Sequence, residues 1–259
     1  MSEPRVLVLR AAGVNCNEET AHAFALAGAA PDQVHINRLV ERPEVLDDYG
    51  ALAIPGGFSY GDDVSAGAVL ALEIDQVLGD ALRRLIERGG LVLGICNGFQ
   101  VLIKTGLLPG PGVDSPAVRA TLTDNRSHRY EDRWVRLECD GSRSLFLSGS
   151  DMIELPMAHA EGRFTVGGPE DLAILEEQNR VALRYVAADG GPADYPANPN
   201  GSVAGIAGIC DESGQVLGLM PHPERFLFGW QHPRWTRSPL REIGDGARIF
   251  HNAVRHLRS

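Results

Sequence analysis

The 259-residue chain is short of cysteine, of positive charge and of long apolar runs, and each shortage removes a class of function. Its four cysteines, Cys16, Cys96, Cys139 and Cys210, are widely spaced, with no C-x-x-C pair. That pattern excludes a disulfide framework and a zinc motif, so no metal is expected, and it suits a reducing compartment such as the cytoplasm. Lys and Arg number 24 against 34 Asp and Glu, for a net charge of −10. Such a balance argues against nucleic acid as the main partner, because phosphate binding needs a basic surface. No run approaches the length of a membrane span, so no membrane partner is expected. Met1-Ser2-Glu3-Pro4 leads directly into a strand-like stretch, with no signal-peptide pattern. What is present is ordinary for a globular protein, 44% hydrophobic and 22% charged. No repeat or linker interrupts the chain, and residues 1–259 read as one domain.

The first hundred residues alternate strand and helix. Residues 5–9 read as a strand, and Asn17 is expected to cap a helix reaching Gly28. Residues 34–39 read as a second strand and residues 51–54 as a third, stopped by Pro55-Gly56-Gly57. A helical pattern over 68–88 ends at Gly89-Gly90, and a buried strand precedes Cys96. This alternation implies an α/β fold: a mostly parallel sheet with helices on both faces and functional loops at the strand carboxyl ends. From about Thr121 to Val186 the character turns strand-like, a β-rich excursion in the second half, and residues 133–139 largely alternate polar and apolar. Residues 192–201, rich in Pro, Asn and Gly, read as an exposed loop. Residues 203–209 and 216–220 flank Asp211-Glu212-Ser213-Gly214 as a hairpin, and an amphipathic helix carrying Ile249, Phe250, Ala253, Val254 and Leu257 closes the chain.

Three segments carry candidate chemistry. The first is Gly94-Ile95-Cys96-Asn97-Gly98, where a strand becomes a helix. A turn that sharp pushes its central side chain outward, needs small neighbours and sets the sulfur at a helix N-terminus, where thiolate is favoured. Alone, it reads equally as a small buried hydrophobe after a core strand. The second is Met220-Pro221-His222-Pro223-Glu224-Arg225. Two prolines hold it extended, so His222 and Glu224 point the same way and the carboxylate can orient the imidazole as a base. Alone, it is equally a polar loop. The third is Pro55-Gly56-Gly57-Phe58, whose glycines can aim an N–H at a developing oxyanion, or simply turn the chain. Ser59-Tyr60-Gly61-Asp62-Asp63 is not a phosphate loop, since it lacks G-K-[ST] and carries negative charge.

In that order, Pro-Gly-Gly, an elbow cysteine followed by Gln100, and a late His-x-Glu resemble a class I glutamine amidotransferase domain. The resemblance extends over nearly the whole chain. It includes the segments from Arg10 to Thr20 and from Gly56 to Asp63, Pro156-Met157-Ala158-His159-Ala160-Glu161-Gly162-Arg163-Phe164, and Asn198-Pro199-Asn200-Gly201-Ser202. These segments favour the branch that serves as the glutaminase component of phosphoribosylformylglycinamidine synthase. The resemblance implies a flavodoxin-like open sheet and hydrolysis of L-glutamine through a cysteine thioester. Cys96 would be the nucleophile, His222 the acid and base, and Glu224 its orienter. Gly57 and Asn97 would supply the oxyanion hole, and Gln100 and Phe58 would contact substrate. It further implies ammonia transfer to a synthetase subunit, with ATP and magnesium held there and no cofactor in this chain. A small third subunit is a further partner that the resemblance allows. Spacing alone does not separate His222-x-Glu224 from His159-x-Glu161; the resemblance selects the former and leaves the latter as a site edge or subunit contact. Cys16 either lines the site or is structural, and Cys139 and Cys210 read as core. The alternatives are a cysteine peptidase or amidase on the same fold, or a non-catalytic regulatory subunit.

Overall fold

The computed structural model describes residues 3–110, 118–139, 143–237, 239 and 241–259. Met1 and Ser2, which open the segment without a signal-peptide pattern, lie outside the described residues. Strand β1 (Arg5–Arg10) buries Val6, Leu7, Val8 and Leu9 completely, an unbroken apolar run that requires cover on both faces. It is followed by α1 (Asn17–Leu26), β2 (Ala30–His35), α2 (Ile36–Glu41), β3 (Ala51–Ile54), α3 (Ala68–Glu87), β4 (Leu91–Ile95) and α4 (Asn97–Lys104). The excursion holds β5 (Ala120–Asp124), β6 (Glu131–Cys139), β7 (Met152–His159), β8 (Glu161–Val166), α5 (Pro169–Glu177) and β9 (Val181–Tyr185). The chain returns through β10 (Ile206–Cys210) and β11 (Val216–Leu219) to α6 (Ala247–Leu257).

Nine strands form one sheet in the order β2-β1-β3-β4-β11-β10-β9-β6-β7, while β5 and β8 pair separately. Neighbours from β2 to β11 are parallel; those from β11 to β7 are antiparallel. Strand order reverses at β1, which pairs with β2 on one side and β3 on the other, and right-handed crossovers then send successive helices to opposite faces. Accordingly α1 packs on α6, with Phe24 edge-on to Phe250 at 5.0 Å, and α3 packs against α2 and α4. Among the described residues, no helix is long and apolar enough to cross a membrane.

The second strand lies earlier than the sequence pattern places it. The sheet takes Ala30–His35, polar and carrying Pro31, which an edge strand tolerates. Ile36 and Leu39 stand three residues apart and bury one face of α2, whose start is capped by the His35 imidazole accepting from Asn37 N–H at 3.2 Å. Asn17 does not cap α1. Cys16 occupies that position without a side-chain capping bond, and Asn17 donates to Gln33 Oε1 instead. The 192–201 loop is exposed only in its first part: Asn200 is fully buried, donating to Gly162 O at 2.7 Å and to the Tyr185 hydroxyl. The β10–β11 hairpin forms as expected.

Candidate functional site

Strands β3, β4 and β11 are adjacent and parallel, so the three chemistry-bearing segments emerge side by side at their carboxyl ends. The end of β1 adds Gly13 to Cys16 to the same edge, because Val14 bridges Gly57. Cys96 follows β4 with φ +51° and ψ −106°, a conformation that side-chain-bearing residues rarely adopt. The strain is held by its surroundings. Cys96 N–H donates to Leu219 O at 2.8 Å, and the flanking glycines let α4 press onto the sheet. A Cβ on Gly98 would collide with Ile54 O, and one on Gly94 would lie 2.7 Å from Gly98 O.

His222 reaches the same point from beyond β11. Its N–H donates to Pro156 O at 2.8 Å, tying the segment to β7, and its Nδ1 lies 2.6 Å from Glu224 Oε1. Both side chains are buried. Burial opposes a charged imidazole, but the adjacent Glu224 carboxylate outweighs it, and the pKa of His222 stands well above 6.5. Nε2 is buried with no hydrogen-bond partner. The Cys96 thiol turns toward Ala158 O at 3.8 Å and also interacts with the His222 imidazole. Gly56, read from sequence as part of the Pro55–Phe58 segment, proves to be the floor of this contact. A Cβ there would sit 2.8 Å from His222 Cε1, 3.3 Å from Cys16 Sγ and 3.4 Å from Cys96 Cβ.

Two backbone donors stand free nearby. Asn97 N–H opens α4 directly after Cys96, and Gly57 N–H borders the cavity. Among the described residues neither has a hydrogen-bond partner. Gly57 holds φ +150°, with Gly13 O only 2.6 Å from where its Cβ would be. Phe58 is half-exposed at the rim, and its own N–H is taken by Gly13 O.

The cavity, of about 100 Å³, is lined by Phe58, Cys96, Gln100, Glu161, His222 and Arg225 among others. A larger one, of about 790 Å³, lies between β9 and the loop bearing Tyr195 and contains neither Cys96 nor His222. Gln100 is buried, with its amide spent on protein: Oε1 accepts from Asn97 Nδ2 at 2.9 Å and Nε2 donates to Glu161 O. The structure therefore makes Gln100 a tie between α4 and the start of β8. Asn97 completes that tie through Ser59 N–H and Asp62.

His159 and Glu161 do not pair. The chain bends at Ala160, where β7 ends and β8 leaves for the separate pair with β5, so the extended two-residue repeat is broken. His159 Nδ1 lies 3.0 Å from Asn125 Oδ1, and the Glu161 carboxylate accepts from Ala66 N–H at 3.4 Å. Burial, reinforced by the charge of His222, pushes the pKa of His159 down to about 3, leaving it neutral. Asn125 also accepts from Gly162 N–H and donates to His159 O. Nothing in the sequence singled it out, since the contact spans 34 residues. Cys16 does line the cavity, with Arg225 Nη2 at 3.1 Å from its sulfur. Cys139 and Cys210 are buried in the core, and burial drives the Cys139 thiol up to about 12.

Comparison with known proteins places this geometry. Residues 3–257 match the CobB/CobQ-like glutamine amidotransferase domain family. The chain is 49% identical over 260 residues to the phosphoribosylformylglycinamidine synthase subunit PurQ of Dehalococcoides mccartyi, covering 100% of this chain and 99% of that one. It is 45% identical over 266 residues to the protein of the same name from Methanococcus maripaludis, covering 98% and 97%. Among solved structures, a chain of PurLQS from Thermotoga maritima superposes with a TM-score of 0.74 at 32% identity, covering 99% of this chain and all of that one.

Proposed function

The chain belongs to the CobB/CobQ-like glutamine amidotransferase family, and from that premise we propose that it is the glutaminase subunit of a phosphoribosylformylglycinamidine synthase in purine biosynthesis, with residues 1–259 as its one catalytic domain. The observation that carries the chemistry is Cys96, strained at φ +51° and set against the buried His222–Glu224 pair. A nucleophile, a base and an orienter within reach of one another are the general requirement for covalent catalysis.

With the cysteine proton already carried by His222 as imidazolium, the Cys96 sulfur attacks the side-chain carboxamide carbon of glutamine. The oxyanion accepts from Gly57 N–H and Asn97 N–H, whose freedom from protein partners leaves them available at no reorganisation cost. Glu224 holds the Nδ1 proton and supports the imidazolium, which then protonates the departing ammonia. His222 next deprotonates the water that opens the thioester, releasing glutamate and restoring the thiol. Gln100 holds the wall at Glu161 and Phe58 the rim around the bound side chain. Ammonia passes to a synthetase subunit, which holds ATP and magnesium and converts the formylglycinamide ribonucleotide amide to the amidine. The PurLQS assembly is the precedent for that partner and for a small third subunit. Four free cysteines fit work in the cytoplasm.

The test is glutamate release from glutamine, with and without the synthetase, ATP and formylglycinamide ribonucleotide. Stimulation by the full set, and loss in Cys96→Ala, are expected. Activity surviving Cys96→Ala removes the nucleophile. Unstimulated cleavage of peptides or other amides transfers the chain to the amidases.

A further inference from the structure

Cys16 has no step in the reaction above, yet its thiol is buried against the same imidazole. We propose that the pocket is also a binding site for a thiophilic divalent cation, Zn²⁺ foremost, held by Cys16 Sγ, Cys96 Sγ and His222 Nε2, and that occupancy silences the nucleophile. Four observations support it. The Cys16 sulfur, a His222 ring nitrogen and a Glu224 carboxylate oxygen all lie within 4.8 Å of one another. Cys16 Sγ, Cys96 Cβ and His222 Cε1 converge in front of Gly56, each within 3.4 Å of a single point. His222 Nε2 is buried without a geometric hydrogen-bond partner, and the ring stands against the Cys16 and Cys96 thiols. Its other nitrogen is held by Glu224 at 2.6 Å, the carboxylate–imidazole support that fixes a metal-binding histidine.

The charges also close. Two thiolates balance the cation, and Glu224 and Arg225 balance each other. Arg225 Nη2 donates to Cys16 Sγ at 3.1 Å, which holds the sulfur at the cavity wall. Two sulfurs and one imidazole leave a fourth tetrahedral position for water from the cavity, the arrangement of open zinc sites. Zn–S bonds of about 2.3 Å and Zn–N bonds of about 2.0 Å require Cys96 Sγ to turn from Ala158 O toward the Cys16–His222 pair. Binding releases the thiol and imidazolium protons to solvent, with no redox change. Mg²⁺ and Ca²⁺, which seek oxygen, do not compete for such a set.

Calorimetric titration of the full chain with ZnCl₂ reads binding independently of turnover, so this proposal and the glutaminase reading fail separately. One ion per chain is expected, with affinity at least about tenfold weaker in Cys16→Ser and unchanged in Cys139→Ser. No binding, or equal affinity in Cys16→Ser, overturns the site. Should Cys16→Ser not fold, Co²⁺ added to the unaltered chain must show thiolate charge-transfer absorption and a tetrahedral spectrum; a weak octahedral spectrum overturns it. Zn²⁺ should stop glutamate release reversibly, with EDTA restoring it. Zn²⁺ bound without loss of activity overturns the silencing.

Discussion

The molecule contains two His-x-Glu segments of identical spacing that end in opposite electrostatic states. Beyond β11, prolines keep the chain extended, His222 meets Glu224 at 2.6 Å, and the imidazole holds its proton far above the usual range. At the end of β7 the chain bends, His159 meets the neutral Asn125, and its pKa falls to about 3. Both histidines are buried to a similar degree. The difference is the partner: desolvation acts on both, and only one has a carboxylate to offset it. A histidine becomes a charged base or a neutral strut according to what the fold sets against its Nδ1.

The largest test of that contrast is His222→Ala against His159→Gln. Glutamate release should fall roughly 10²–10⁴-fold in the first and less than about tenfold in the second; the reverse order would exchange their roles. The carboxylates follow at smaller scale. Glu224→Gln should lower kcat by roughly 10²-fold by removing the charge that supports the imidazolium, whereas Glu161→Gln should change it less than about fivefold, as for a surface-type substitution. Asn125→Ala should cost about 1–3 kcal/mol in denaturant unfolding, because it strands the buried His159 Nδ1 and Gly162 N–H. Equal stability would mean that His159 needs no such strut.

The pH dependence separates the pair most finely, since the two signs differ. His159 titrates at about 3 in the folded chain against an ordinary histidine value of 6.5 when unfolded, so between those values the unfolded chain binds more protons. Its contribution is complete above 6.5 and is lost as pH falls toward 3. His222 has a raised folded value, so its contribution is complete below 6.5 and is lost as pH rises through that folded value. Thermal melts of His159→Gln should therefore show a shallower acid loss between about pH 6.5 and 4 than the unaltered chain, with the alkaline limb unchanged. An unchanged acid limb would mean that His159 is charged in the fold.

Much of this was legible beforehand because it is local. The elbow at Cys96 follows from small residues at a strand-to-helix junction, and the structure adds only its φ of +51°. The β10–β11 hairpin and α6 follow from periodicity. Local pattern misled where an edge strand had little burial to declare itself: β2 is polar, and the apolar residues after it belong to a helix. Gln100 was expected to contact substrate and does line the cavity, but a helix position does not reveal that a carbonyl 61 residues away also accepts from its amide.

By itself, then, the amino-acid sequence determined the alternation of strands and helices, the sharp turn that presents Cys96, and the extended segment that pairs His222 with Glu224. These depend on sterics and spacing within a few residues. Only the tertiary structure decided that Gly56 floors the contact among Cys16, Cys96 and His222, that Asn125 sets a neutral partner against His159, and that Gln100 ties α4 to the start of β8. Those contacts join segments brought together by strand order. Short-range periodicity carries no information about which distant donors and acceptors the assembled sheet will oppose.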